Sequence, residues 1–147
     1  MNIKLKVAGL ALAMGVTGVI SAPPASAHIT LCHVEAFVPK PLGEHLLRGT
    51  GRSWCAKDGE TNHVLAQRLT AEIQYERFGL WWSIPPGHAT PMSTNRLIGV
   101  APVVECVNRK NATYRTVVTA YFYGHDGVRK FTKKSHESKM RSCGRSK

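Results

Sequence analysis

Polar and bulky side chains alternate along NATYRTVVTAYFYGHDG (111–127) until a Gly-His-Asp-Gly turn stops the run. Tyr114, Thr116, Val118, Ala120 and Phe122 fall on one face, with Arg115, Val117, Thr119, Tyr121 and Tyr123 on the other. Neither face is wholly polar, which predicts the central strand of a two-layer sandwich, with VRKFTKK returning beyond the turn as its hairpin partner. The same alternation recurs upstream. HITLCHVEAFVP places Cys32, Val34, Ala36 and Val38 on one face, and GRSWCAK puts Ser53 and Cys55 together with Trp54 opposite. In HVLAQRLTAEIQYE, Leu65, Leu69, Ala71, Ile73 and Tyr75 oppose Arg68, Thr70, Glu72 and Gln74. Leu65, Leu69 and Ile73 also recur every four residues, as in a helix, but the neighbouring strand-like runs decide for a strand. WWSIPPGHATPM reads as a loop because Pro85, Pro86, Gly87 and Pro91 oppose regular pairing. RLIGVAPVVECVN resumes extended chain, with Pro102 marking an edge or a bulge. The expected fold is all-β: an immunoglobulin-like antiparallel β-sandwich with two disulfides.

The amino terminus changes the compartment. Lys4 and Lys6 precede an apolar stretch from Val7 to Ile20, and SAPPASA ends with small residues at 25 and 27. That is the pattern of a signal peptide over 1–27. The stretch is shorter than the roughly 20 apolar residues of a spanning helix. A single secreted domain over 28–147 is expected. All four cysteines, Cys32, Cys55, Cys106 and Cys143, fall in it. In an oxidising compartment they imply two bridges, and sequence leaves three connectivities open. Cys32 with Cys55 and Cys106 with Cys143 is the expected pairing, because each then ties a strand to a sequence neighbour. No C-x-x-C spacing supports a thiolate metal site.

Charge narrows the partners. Of 20 Lys and Arg against 9 Asp and Glu, only Lys4 and Lys6 precede residue 28, so the mature chain keeps 18 against 9, a net of +9. The excess concentrates beyond Gly127, where Arg129, Lys130, Lys133 and Lys134 begin a basic run. Such a field suits another secreted protein with an acidic surface; a solvated basic tail is the plain alternative, and nucleic acid is a less favoured partner.

Cys106, the following ATYRTVVTAYFYGHDG, a polar strand and Cys143 resemble a pattern of small exported two-disulfide proteins of filamentous actinobacteria. In that pattern a cysteine precedes Tyr-Arg/Lys-Thr, a strand closes on a Gly-rich turn, and a last cysteine seals the sheet. GTGRSWC adds a looser echo. Some proteins of this type are similar to the adaptor subunit of secreted umbrella toxin particles, which joins a lectin-bearing subunit to a long stalk. The resemblance implies a non-enzymatic, protein-binding role in antagonism between bacteria, with no cofactor.

The candidate partner-binding residues are Trp81, Trp82, Tyr121, Tyr123, Arg129, Lys130, Lys133 and Lys134. Adjacent tryptophans on a strand point to opposite faces, so at least one can emerge to anchor a partner; the plain alternative has one filling the sandwich core and the other covering its rim. Two alternatives carry chemistry. Cleavage after Ala27 would expose the amine and imidazole of His28, the start of a copper-binding histidine brace that needs a second ligand from His63, His88 or His125. A secreted ribonuclease would need a general acid and base from His33, Glu72, His125 and His136 beside cationic side chains. His33-Val34-Glu35 matches half of a zinc deaminase signature and lacks the P-C-x-x-C half. No G-x-S-x-G or H-E-x-x-H occurs, and Asn111-Ala112-Thr113 forms an isolated glycosylation sequon.

Overall fold

The alternating runs become nine strands in the computed structural model, which describes residues 32–55, 64–107, 112–125 and 127–140. They are β1 (Cys32–Leu42), β2 (Leu46–Cys55), β3 (Val64–Arg77), β4 (Leu80–Ala89), β5 (Leu97–Val100), β6 (Val103–Glu105), β7 (Ala112–Gly124), β8 (Gly127–Lys134) and β9 (Ser138–Met140). No helix occurs among the described residues. One antiparallel sheet has the order β1-β2-β5, with β6 pairing β2 beyond β5; the other has the order β4-β3-β7-β8, with β9 pairing β7 beyond β8. The residues expected to carry the signal peptide lie outside the described residues, and among the described residues there is no helix long and apolar enough to cross a membrane.

Period-2 alternation sets the two layers. The face of β7 with Tyr114, Thr116, Val118, Ala120 and Phe122 is buried throughout, and so are Leu69, Ala71 and Ile73 of β3. The first sheet meets them with Val34, Leu47, Ser53, Cys55, Val100 and Val104. The core divides into one cluster around Val34, Leu69, Val118 and Phe122 and another around Leu47, Ile73, Val104 and Tyr114. Each fully buried Leu, Ile, Val or Phe contributes about 1.5 to 3 kcal/mol, which makes this interior the main source of stability. Gly49 and Gly51 face inward from β2, and their missing side chains let its backbone lie against Thr116 and Val118 of β7.

Cys32 and Cys55 sit directly opposite each other at the ends of β1 and β2 and are disulfide-bonded, with Cα atoms 4.0 Å apart. In the chain-entropy model a loop of this length contributes about 3 kcal/mol. The other expected bridge ends at Cys143, outside the described residues.

Two local expectations change. Residues 80–89 form a strand despite Pro85 and Pro86, because β4 is an edge strand pairing only β3. The prolines fall where the register slips between Ala71 and Ile73, so neither removes a ladder bond that β3 requires. Leu65 is 51% exposed, because a bulge between Val64 and Ala66 takes it out of the inward alternation. Gln67 occupies the buried position instead: Ser53 Oγ donates to its Oε1 at 2.6 Å, and its Nε2 donates to the Asn95 carbonyl at 2.6 Å. Reciprocal backbone bonds between Gln67 and Ser93 then hold the segment crossing from β4 to β5 against β3.

Candidate interaction surfaces

With the inner faces committed to packing, the chemistry available to a partner lies on outward faces, turns and edges. The β3–β4 turn is the most exposed apolar feature. Phe78 and Gly79 link the strands with φ of 55° and 75°, the positive pair that a two-residue type I′ hairpin requires. Asn or Gly suits the first of these positions; here it holds Phe78, 88% exposed, beside Leu80 and Trp82, which are 60% and 51% exposed. The Arg77 guanidinium lies 5.0 Å from the Phe78 ring centre. The β1–β2 turn opens at the same end, where Leu47, Ile73 and Val104 share a core cluster, and adds exposed Leu42 and Leu46.

The two tryptophans lie on opposite faces of β4. Trp81 lies on the outer face of β4, with the Arg115 guanidinium 3.8 Å above its ring and bonded to Gln74 Oε1 at 2.9 and 2.8 Å. Trp82 shares the inward alternation of Ile84 but lies beyond the closed core, half-exposed. Neither ring fills the interior.

Tyr121 and Tyr123 lie at the other end of that outer face. Tyr121 pairs with Lys130, whose Nζ is 5.8 Å from the ring centre, and Tyr123 pairs with Val128. Trp81 is opposite Glu76 and Tyr121 opposite Arg68, about eight residues or roughly 27 Å apart along β3. The basic candidates also separate by strand parity. Lys130 and Lys134 share the outer face, whereas Arg129 and Lys133 pair with Phe122 and Val118 on the inward alternation at the β8 edge. The sequence-predicted set is therefore spread over at least two patches.

A third surface covers the outer side of β1 and β2. His33 stacks on Trp54 with ring centres 5.0 Å apart and an interplanar angle of 23°. The Arg52 guanidinium lies 5.3 Å from the Trp54 ring and 5.3 Å from the Phe37 ring, while its Nε donates to Glu35 Oε2 at 2.6 Å. Both partners of that ion pair are substantially exposed, so it contributes at most about 1 kcal/mol and chiefly fixes the guanidinium between the rings. This row was missed in sequence. His33, Glu35 and Phe37 alternate on β1 as Arg52 and Trp54 do on β2, but only the register brings them together.

The four residues of the ribonuclease reading do not meet. His33 and His136 line one groove, Glu72 lies on the outer face of the other sheet, and His125 is at the β7–β8 turn. Among the described residues no group of three or more His, Cys, Asp and Glu side chains is placed to hold a metal ion. His28 lies outside the described residues. In the core, burial pushes the Tyr114 phenol above its ordinary value of 10.0 while its hydroxyl donates to the Val107 carbonyl at 3.2 Å. No protein-family model matches the chain, and no curated protein is similar to it.

Proposed function

We propose that this chain is an exported immunoglobulin-like module, stapled by two disulfides, that acts by noncovalent contact with another secreted protein, as an adaptor in an interbacterial toxin assembly does. The strand connectivity supports the fold reading. β1-β2 with β5 and β6 corresponds to the A-B-E side of such a sandwich, and β4-β3-β7-β8 corresponds to the C′-C-F-G side. The Cys32–Cys55 bridge supports an oxidising compartment.

The observation that carries the binding role is Phe78. A bulky residue in the left-handed region costs roughly 1 kcal/mol, and exposure returns none of it through burial. Folding therefore gains nothing from Phe78, which shares one hairpin with the half-exposed Leu80 and Trp82. An aromatic knob flanked by an arginine is the composition of an interface anchor, and its partner offers an apolar pocket with a carboxylate at its rim.

Affinity capture from native culture fluid tests this, comparing the wild type with Phe78→Asn. Asn suits the turn, so the variant is expected to melt at the same temperature or a few degrees higher while losing co-purification of larger secreted subunits. High salt is expected to weaken the wild-type complex. Recovery of the wild type only as a free monomer, or equal capture by the variant, refutes the reading.

A further inference from the structure

We propose that the seam between β1 and the end of β8 binds single-stranded nucleic acid, a function separate from the protein contact at the hairpin tip. β1 and β8 are edge strands of the two sheets, and a groove of about 540 Å³ lies between them. His33 and Phe37 line one side with Trp54 behind them; Lys133, Lys134 and His136 line the other.

The cationic side is anchored. Ser135 is buried, its N–H donates to the Thr116 carbonyl at 2.9 Å, and its hydroxyl accepts from the Thr116 N–H at 2.9 Å while donating to the His136 carbonyl at 2.8 Å. These bonds fix the end of β8, where Lys133 takes the inward alternation beside the groove and Lys134 lies at its rim from the outer face. Glu35 is the one carboxylate lining it, and Arg52 holds that group at 2.6 Å. One lysine beside the groove and one at its rim thus adjoin a wall whose single acid is already neutralised.

The opposite side supplies π faces. The His33–Trp54 stack, the Arg52 guanidinium and the Phe37 ring form a row along the strands, with same-face positions about 7 Å apart. Phe37 is 39% exposed. A cationic track facing an aromatic row matches a strand whose phosphates meet lysines and whose unpaired bases stack on rings. Duplex bases are stacked on one another and cannot use the row, and the saturated rings of a sulfated polysaccharide offer it no π face.

Fluorescence anisotropy with the purified oxidised protein tests the site, using a labelled mixed-sequence RNA dodecamer, its DNA counterpart, the matching duplex and heparin. Both single strands are expected to bind at low salt, and the duplex at least tenfold more weakly. Loss of two phosphate contacts in Lys133→Ala/Lys134→Ala lowers the log–log salt slope by about 1.4. Phe37→Ala weakens single-strand binding roughly fivefold or more, and Phe37→Leu, which keeps the bulk without the π face, does the same. Melting curves establish that each variant is folded. No single-strand binding at low salt, an unchanged slope in the lysine variant, or duplex and heparin binding as tight as single strands with no effect of either Phe37 variant overturns the proposal.

Discussion

Replacing Gly51 by alanine tests the closest approach between the two layers. A Cβ built there lies 2.3 Å from Val118 Cγ2 and 2.9 Å from Cγ1, against roughly 3.5 to 4.0 Å for favourable carbon contact. Val118 has no exposed surface and belongs to the central strand of the opposite sheet, so its rotation or retreat displaces other core side chains. Overpacking of this kind costs about 1 to 3 kcal/mol, and the intrinsic gain of alanine over glycine within a strand returns about 0.5 to 1 kcal/mol. A net loss of about 1 kcal/mol lowers the melting temperature of a domain this size by about 4 °C. Calorimetry of the oxidised protein measures it, with Val118→Ala and the double variant completing a cycle. The double variant is expected to recover at least 1 kcal/mol relative to the sum of the singles, because Val118→Ala removes both clashing methyls. Gly99→Ala is the control: its Cβ meets only the Gly51 carbonyl at 3.7 Å, an ordinary contact. A Gly51→Ala shift below about 2 °C, or additive losses in the cycle, would refute the packing explanation.

Gln67→Leu is expected to cost about 2 to 4 kcal/mol by leaving buried Ser53 Oγ and the Asn95 carbonyl without their partner, and Ser53→Ala in the same chain is expected to restore about 1 kcal/mol; urea midpoints for the single and double variants measure both. Tyr114 predicts alkaline destabilisation. Its folded pKa is raised, so above pH 10 the unfolded chain releases the phenolic proton first, binds fewer protons than the native state, and gains stability with rising pH. Tyr114→Phe is expected to flatten that fall while lowering stability near neutrality by about 1 kcal/mol through loss of the bond to Val107, and thermal melts from pH 8 to 11 decide it.

Strand parity was legible wherever one face had to be buried. Both faces of β7, the Ser53/Cys55 pair and the hairpin to β8 followed from alternation and the Gly127 turn, whose φ is 114°. Pairing partners were not legible, because alternation states what faces inward and not which strand lies alongside. That gap hid the His33–Trp54–Arg52–Phe37 row, half of which lies on each of two strands. Edge status was hidden too, so Pro85 and Pro86 read as loop formers although the ladder of β3 tolerates them. The buried Gln67 of β3 was not legible, because a donor on β2 and a carbonyl beyond β4, both remote in sequence, are what satisfy it. The β3–β4 tip left one readable mark, Gly79 between two alternating runs, which with a preceding Asn or Asp would have signalled a hairpin.

Parity also separates the residues that hold the fold from those available for binding. An inward substitution such as Gly51→Ala changes the distance between the layers, so loss of binding there cannot be distinguished from loss of structure. Phe78 and Phe37 lie outside the closed core: one projects from a turn that favours a different residue, and the other rests on the outer face of a disulfide-tied strand pair. Replacing Phe78 changes little of the buried area that determines stability, and Phe37→Leu keeps most of the apolar bulk that Phe37 buries. The two sites are also on different features, the β3–β4 tip and the β1–β8 seam, with no residue in common. A Phe78→Asn variant that loses its protein partner while retaining oligonucleotide binding, and a Phe37→Leu variant with the reverse pattern, would establish two independent surfaces; loss of both activities in either variant would instead mean that the contacts are coupled through the core.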